Sequence, residues 1–444
     1  MAMAMAMASA TVPIRPKARE RVGPTREFGE TVKIARILLW SIAALLAGLV
    51  GASSAVITSQ VKYPGRSIAI GIGPMGQAKA NLAFASYAAR QQQNLKAEIS
   101  VRERRLALAA YRGEPLSSAA LGMLIASTDR ADVARRQALL DLGGRLTRRS
   151  SLITSASIAA SALHDDKTSF FLWMSRAILT SDTMRSVYIK AMAQATARPD
   201  APSTLAPVIG PEPSWSDRYW SAVVSVPASL ENAAELRILL AGTPWRQTEI
   251  RDSDRTLARR LADYGHFGAL QQLAAALRRT PASQAAEGAL ADTDFSRLAV
   301  LPPIDWELAS SGNLGTTIEP ERKRMSVSAI AGARGYAARR LVALAPGAYE
   351  MDWDLVADAP LEQGVLSARF SCAEKGSDPG TAQIVSLDVG FHRAGLIIAN
   401  DACRWYWLSI NVNVPDMSAG IDAEFRRLDL RRVDHASSAV SRRL

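Results

Sequence analysis

Hydrophobic and polar positions follow three successive patterns along this chain. The first is an unbroken apolar run: no residue between Arg36 and Lys62 is charged, and the 21 residues from Ile37 to Ile57 are apolar or small throughout. At about 1.5 Å of rise per residue, a helix of that length crosses a hydrocarbon layer of about 30 Å. Its backbone hydrogen bonds are then all satisfied within the segment. One transmembrane helix over 37–61 is expected. A buried core helix is the alternative, but few such helices stay uncharged on every face for so long.

The second pattern is helical and covers 75–280, with Ala and Leu at i, i+3, i+4 spacing and few β-branched runs. Leu106, Ala109 and Ala110 share one face of Val101 to Arg112, and Leu121, Leu124 and Ile125 follow Pro115. Trp215, Tyr219 and Trp220 cluster at helical spacing and are expected to plug the end of a helical stack. Apolar stripes at Leu236, Leu239 and Leu240 and at Leu257, Leu261, Leu270, Leu273 and Leu277 complete the region. Comparable helix pairs begin at Leu106, Ala138 and Leu172, spacings of 32 and 34 residues. This resembles tetratricopeptide-type repeats, in which stacked pairs bury a face that one pair cannot. The full aromatic and proline signature is missing, and a single irregular helical domain remains the alternative.

After a polar linker at 281–293 the period changes to two. Ile304, Trp306 and Leu308 alternate onto one face, as do Tyr349, Met351, Trp353 and Leu355, with Glu350, Asp352 and Asp354 opposite. The second run is led by the turn signal Pro346-Gly347. Further strands are expected over Val365–Cys372, Ile384–Val389, Cys403–Val414 and Glu424–Val433. Many short strands with one polar face argue an antiparallel two-sheet sandwich over 294–435. The fold class is therefore multidomain: an N-terminal transmembrane helix, an all-α repeat-like middle and an all-β, jelly-roll-like C-terminal domain. Residues 1–36 and 436–444 read as disordered tails.

Charge then fixes topology. Lys and Arg number 53 against 42 Asp and Glu, a net +11 that invites a nucleic-acid reading until it is located along the chain. Residues 1–36 carry +4, residues 37–290 carry +10 and residues 291–444 carry −3. Lys17, Arg19, Arg21, Arg26, Lys33 and Arg36 precede the span, whereas only Lys62, Arg66 and Lys79 fall in the 20 residues after it. The positive-inside rule puts the N-terminus in the cytoplasm and the bulk outside. The small residues Ala52-Ser53-Ser54-Ala55 would suit a signal peptidase, but the long basic leader favours an uncleaved anchor. No Asn begins an Asn-x-Ser/Thr acceptor, and the chain is rich in Ala and Arg and poor in Lys. Both features lean to a bacterial periplasm. A location outside the cytoplasm argues against nucleic acid as a partner. The basic clusters Arg102, Arg104, Arg105, Arg135, Arg136, Arg145, Arg148 and Arg149 either face acidic polysaccharide, phospholipid headgroups or an acidic protein, or form a solvated surface.

The order PPIDWEL, ALAPGAYEMDWDL, a strand ending ARFSC, then CRWYWLSINV resembles the C-terminal jelly-roll-like module of membrane-anchored bacterial helical-repeat proteins. Such modules look like carbohydrate-binding modules, and the architecture is associated with cell-envelope and exopolysaccharide loci. The resemblance implies a context and no reaction.

Cys372 and Cys403 both lie in this region at strand ends, where an oxidising compartment permits a disulfide. Closing that 31-residue loop would contribute about 3–4 kcal/mol in the chain-entropy model. Zinc would need more ligands than the nearby His392, and two isolated thiols are the other alternative. Trp405 and Trp407 share a strand face with Ser409, Asn411 and Asn413, an arrangement that could stack a pyranose. Cys403 lies on the same side, so the two rings could equally be core packing.

Catalytic signatures are weak. The histidines His164, His266, His392 and His435 are scattered, and Asp165-Asp166 suits a helix N-cap. Gly71-Ile72-Gly73-Pro74-Met75-Gly76 matches a dinucleotide fingerprint in letters, but lacks the βαβ unit that such a site requires. No cofactor, metal or catalytic residue is assigned. The chain is expected to be a non-enzymatic, single-pass inner-membrane protein whose partners are the bilayer and polysaccharide-assembly proteins. Direct binding of an acidic polysaccharide, or an enzyme of the same pathway, are the alternatives.

Overall fold

The computed structural model describes residues 28–433 except 72, 95–96, 130, 148–149, 279–293, 375–381 and 399–402. The expected linker at 281–293, the tail at 436–444, most of the tail at 1–36, and Arg148 and Arg149 lie outside the described residues. The chain divides into two compact units, 1–146 and 147–444. The break therefore falls inside the expected helical domain, and the later helices group with the sandwich.

The first unit holds α1 (Phe28–Lys62), α2 (Pro64–Ile70), α3 (Gly76–Gln93), α4 (Val101–Gly113), α5 (Ser118–Ser127) and α6 (Val133–Leu146). The segment Arg36–Gln60 of α1 is long and apolar enough to cross a membrane, and its most apolar stretch is wholly unburied. Helices α3, α4 and α5 approach closely through the buried small residues Ala80, Ala110 and Ala120. Helix α4 opens with a capping box in which Ser100 and Glu103 satisfy each other's backbone N–H groups. Glu103 is also ion-paired with Arg90 of α3.

The glycine-rich segment has a structural role. The Glu114 carboxylate, just past α4, accepts hydrogen bonds from the N–H groups of Gly76 (2.9 Å) and Gln77 (3.0 Å) at the start of α3. The chain's own anion thus occupies the helix N-terminus that a pyrophosphate would need. A Cβ on Gly76 would come within 2.6 Å of the Glu114 Cβ, which explains why glycine stands there.

The second unit begins with α7 (Ser151–Leu163), α8 (Lys167–Thr180), α9 (Asp182–Ala195), α10 (Ala201–Ile209), α11 (Ser216–Val223), α12 (Leu230–Ala241), α13 (Asp252–Asp263) and α14 (Phe267–Arg278). As the acidic pair suggested, Asp166 caps α8, accepting from the Ser169 N–H at 3.0 Å. Two rows form: α8, α10, α12 and α14 pack in succession, and α9, α11 and α13 form the second row. Helices α8 and α10 start at residues 167 and 201, a spacing of 34. Trp215, Tyr219 and Trp220 are buried in the middle of this stack and not at its end, because α13 and α14 follow them. The Tyr219 hydroxyl pairs with Thr196 Oγ1 at 2.7 Å, and its burial raises its pKa well above the usual phenol range. Arg237 and Asp254, both nearly fully buried, form a two-pronged ion pair between α12 and α13.

Among the described residues ten strands follow: β1 (Glu307–Leu308), β2 (Leu314–Glu319), β3 (Arg324–Ala329), β4 (Arg334–Ala343), β5 (Gly347–Ala357), β6 (Leu366–Cys372), β7 (Gln383–Ser386), β8 (Gly390–Ile398), β9 (Trp405–Asn413) and β10 (Ile421–Arg432). They make two five-stranded sheets, ordered β1-β4-β9-β6-β7 and β2-β3-β10-β5-β8, antiparallel at every pairing. Alternation sorts side chains as expected on β5, where Tyr349, Met351, Trp353 and Leu355 enter the core between the sheets. Of the three acids opposite, Asp352 is nonetheless buried, because Arg393 (2.7 Å) and Arg431 (3.6 Å) cover it. Strands β2, β3, β4 and β8 lie beyond those the alternation marked, and β1 is only two residues long, although Trp306 before it is buried.

Candidate functional site

The core side of β9 is taken by Tyr406, Leu408, Ile410 and Val412. Alternation therefore turns Trp405, Trp407, Ser409, Asn411 and Asn413 to the outer face of the first sheet. The neighbouring strands add to that face by register. Ser367, Arg369 and Ser371 of β6 stand opposite Asn411, Ser409 and Trp407, and on β4 Leu341 and Arg339 stand opposite Trp407 and Ser409. A register shift between Tyr336 and Ala338 inserts an extra residue, which brings Tyr336 alongside Arg339 despite their odd separation.

This face has two halves. At one end Trp405 is 7% exposed and lies against Phe267 of α14, with ring centroids 5.6 Å apart and planes at 31°. Leu301, Leu341 and Trp405 belong to the same buried cluster as the helical stack. Trp405 is therefore a seam residue that packs the sandwich against the helices, and its ring has no free face for a sugar. The expected platform of Trp405 and Trp407 together is therefore not formed. The outer side of β9 is apolar at that end because it meets a second layer.

At the other end the face is polar and open. The Arg339 guanidinium lies between the rings of Tyr336 (4.5 Å) and Trp407 (4.7 Å). Glu307 holds its Nε at 2.7 Å, and Arg259 of α13 reaches the same carboxylate at 3.3 Å. Trp407 is half-buried: it packs partly against the helical cluster that holds Trp405 and is capped by the Arg339 cation. Beyond this stack run Ser409, Asn411 and Ser367, all half-buried, and the exposed Asn413 and Arg369. Arg369 makes no ion pair among the described residues. Hydroxyls, amides and guanidinium groups in this ladder can donate and accept along an extended polar ligand.

Tyr336, Arg339, Ser367 and Arg369 went unnoticed at the sequence level. The irregularity in β4 hides which face Tyr336 joins, and the pairing of β6 with β9 is a long-range fact.

Cys372 and Cys403 form a disulfide with Cα atoms 6.0 Å apart, tying the end of β6 to the lead-in of β9. Their sulfurs and a Glu374 carboxylate oxygen lie within 4.8 Å of one another, but the bond consumes both thiolates a metal would need. On α4, Arg102, Arg104 and Arg105 are exposed; on α6, Arg135 and Arg145 are exposed and Arg136 is half-buried, donating to the Thr128 carbonyl at 3.3 Å. The described arginines of this set occupy two different helices.

No family model matches the chain, and no curated protein matches it. Among solved structures it is similar to a CBM4 structure, at 13% identity and a TM-score of 0.25 over 32% of this chain and 99% of that one. It is similar to TmCBM61 in complex with beta-1,4-galactotriose, at 13% identity and a TM-score of 0.23 over 32% of this chain and 97% of that one. It is also similar to the arabinose-bound α-L-arabinofuranosidase MgGH51, at 11% identity and a TM-score of 0.24, over 33% of this chain and 26% of that one.

Proposed function

We propose that the protein is a bacterial inner-membrane accessory factor in exopolysaccharide or cell-envelope polysaccharide assembly or export. In this reading α1 anchors it with the N-terminus in the cytoplasm, and tetratricopeptide-like helix pairs dock partner proteins in the periplasm. The sandwich holds the glycan, and no reaction is catalysed. The observation that carries the reading is the open half of the first sheet. There an aromatic–guanidinium stack (Tyr336, Arg339, Trp407) borders a ladder of hydroxyls and amides. The outer face of the exposed Tyr336 ring can pack on the apolar face of a pyranose, while the ladder pairs with its hydroxyls. The exposed Arg369 favours a sugar that carries a carboxylate.

Retention of the full chain on an immobilised acidic polysaccharide, lost in Tyr336→Ala with folding intact, supports this reading. Unchanged retention in that variant overturns the assignment of the face. In vivo crosslinking tests the scaffold role separately. Recovery of polysaccharide-assembly proteins is expected, and recovery of no envelope protein would count against it.

A further inference from the structure

The end of the apolar helix is locked to the fold by hydrogen bonds. In the last turn of α1, Gln60 is buried; its Nε2 donates to the Pro74 carbonyl at 2.8 Å, and its own carbonyl accepts from Asn81 Nδ2 at 3.2 Å. Ser59 and Ser67 share a hydroxyl–hydroxyl bond at 2.8 Å, which fastens α2 to α1. Asn81 lies about one turn into α3, whose first two N–H groups are held by Glu114. Ser117 Oγ then donates to Gln77 Oε1 at 3.1 Å. The corner between α4 and α5 is therefore linked, through Gln77 and Asn81 of α3, to the point where α1 leaves its apolar stretch.

What this corner and α2 expose is unusual for a solvated surface. Leu116 is 78% exposed, Tyr63 53% and Ile70 54%. Exposed cations accompany them in the chain: Arg66, whose guanidinium lies 5.2 Å from the Tyr63 ring centre, and Arg112, four residues before Leu116. Apolar side chains, a tyrosine and arginines that follow closely after a span are what a headgroup layer accommodates. The charge agrees: residues 62–146 carry 13 basic and 6 acidic side chains, a net +7. Lipid-bound anions attract such a surface within about one Debye length.

We propose that Tyr63, Arg66, Ile70, Arg112 and Leu116 form a juxtamembrane collar that seats in the headgroup layer of an anionic bilayer. It fixes the height and tilt at which the extramembrane helices leave the membrane. This rests on the reading of α1 as a membrane span.

The test uses the full-length protein in nanodiscs of phosphatidylcholine with 30% phosphatidylglycerol (about 7:3), with brominated lipids as quencher. The native cysteines are tied in the disulfide, so a single introduced cysteine carries the fluorophore. Three positions are compared: Leu45→Cys within the apolar stretch, Leu116→Cys on the collar, and Val101→Cys about 18 Å away along α4. Strong quenching is expected at position 45. Quenching at 116 should be at least twofold that at 101, falling in 0.5 M salt, in pure phosphatidylcholine and in the variant R66E/R112E. Quenching at 45 with 116 no more quenched than 101 overturns the collar and leaves the span standing. Quenching at 116 that is indifferent to salt, lipid charge and R66E/R112E overturns the anionic partner. Absence of quenching at 45 overturns the span, and the collar with it.

Discussion

Trp405→Ala should loosen the molecule at the seam between the helical stack and the sandwich. The ring is 7% exposed, stands against Phe267, and shares a cluster with Leu301 and Leu341. A buried aromatic of this kind removes about 150–250 Å² from water, which at about 25 cal/mol per Å² amounts to roughly 4–6 kcal/mol. That area is an upper bound, and large-to-small substitutions of buried aromatics run at about 3–5 kcal/mol. A loss of about 3–5 kcal/mol is therefore expected, a melting-point drop on the order of 10 °C for a unit of this size. Urea unfolding of the detergent-solubilised full chain measures it, and hydrogen exchange should show α14 and β9 losing protection together. Polysaccharide retention of the still-folded fraction should persist. A loss below about 1 kcal/mol accompanied by lost retention would refute the reasoning, because the ring would then be exposed and would contact ligand.

Three further outcomes test the fold. Asp254→Ala leaves the Arg237 guanidinium buried without its partner, which should destabilise the protein by about 3–5 kcal/mol. The double variant Arg237→Leu plus Asp254→Leu should recover much of this in the same unfolding assay, and an Asp254→Ala effect under about 1 kcal/mol contradicts the account. Gly76→Ala would drive a methyl group into the Glu114 side chain, costing about 1–3 kcal/mol; a neutral or stabilising change in melting temperature contradicts the close approach. Burial pushes the Glu103 carboxyl up, but hydrogen bonds from Arg90 and Ser100 outweigh it and hold it below the usual range. Its contribution is then full above the unfolded value, about 4.3, and fades as pH falls through the lower folded value. Glu103→Gln should flatten stability across that acid window, and an unchanged slope would show that the pair does not titrate as described.

Much of the architecture is legible in local pattern, because burial imposes it locally. Tyr349, Met351, Trp353 and Leu355 alternate inward since a sheet face repeats every second residue, and the uncharged run at 37–61 has few rival explanations. What escapes is whatever depends on a second layer or on distant chain. The outer side of β9 reads as apolar–aromatic and then polar, and only the position of the helices shows that Trp405 is sealed in a seam, with Trp407 at its edge and the polar positions beyond it. The irregularity in β4 conceals the company Tyr336 keeps. Gly76 is explained by Glu114, 38 residues on, which no fingerprint in the glycine-rich segment could reveal. The break between units at 146 is invisible for a related reason: helices on both sides share one composition, and partnership with the sandwich decides which belong together.

The central claim is that the open half of the first sheet grips a glycan. Native electrophoresis of the solubilised full chain through gels cast with a uronic-acid polysaccharide tests it most directly, with a neutral polysaccharide in parallel and Tyr336→Ala plus Arg369→Ala as the variant. Both side chains are partly or fully exposed, so folding should be unaffected. The wild type should be retarded in the acidic gel and less so in the neutral one, and the variant should bind at least tenfold more weakly at unchanged melting temperature. Equal mobility of wild type and variant at every polysaccharide concentration would contradict the claim.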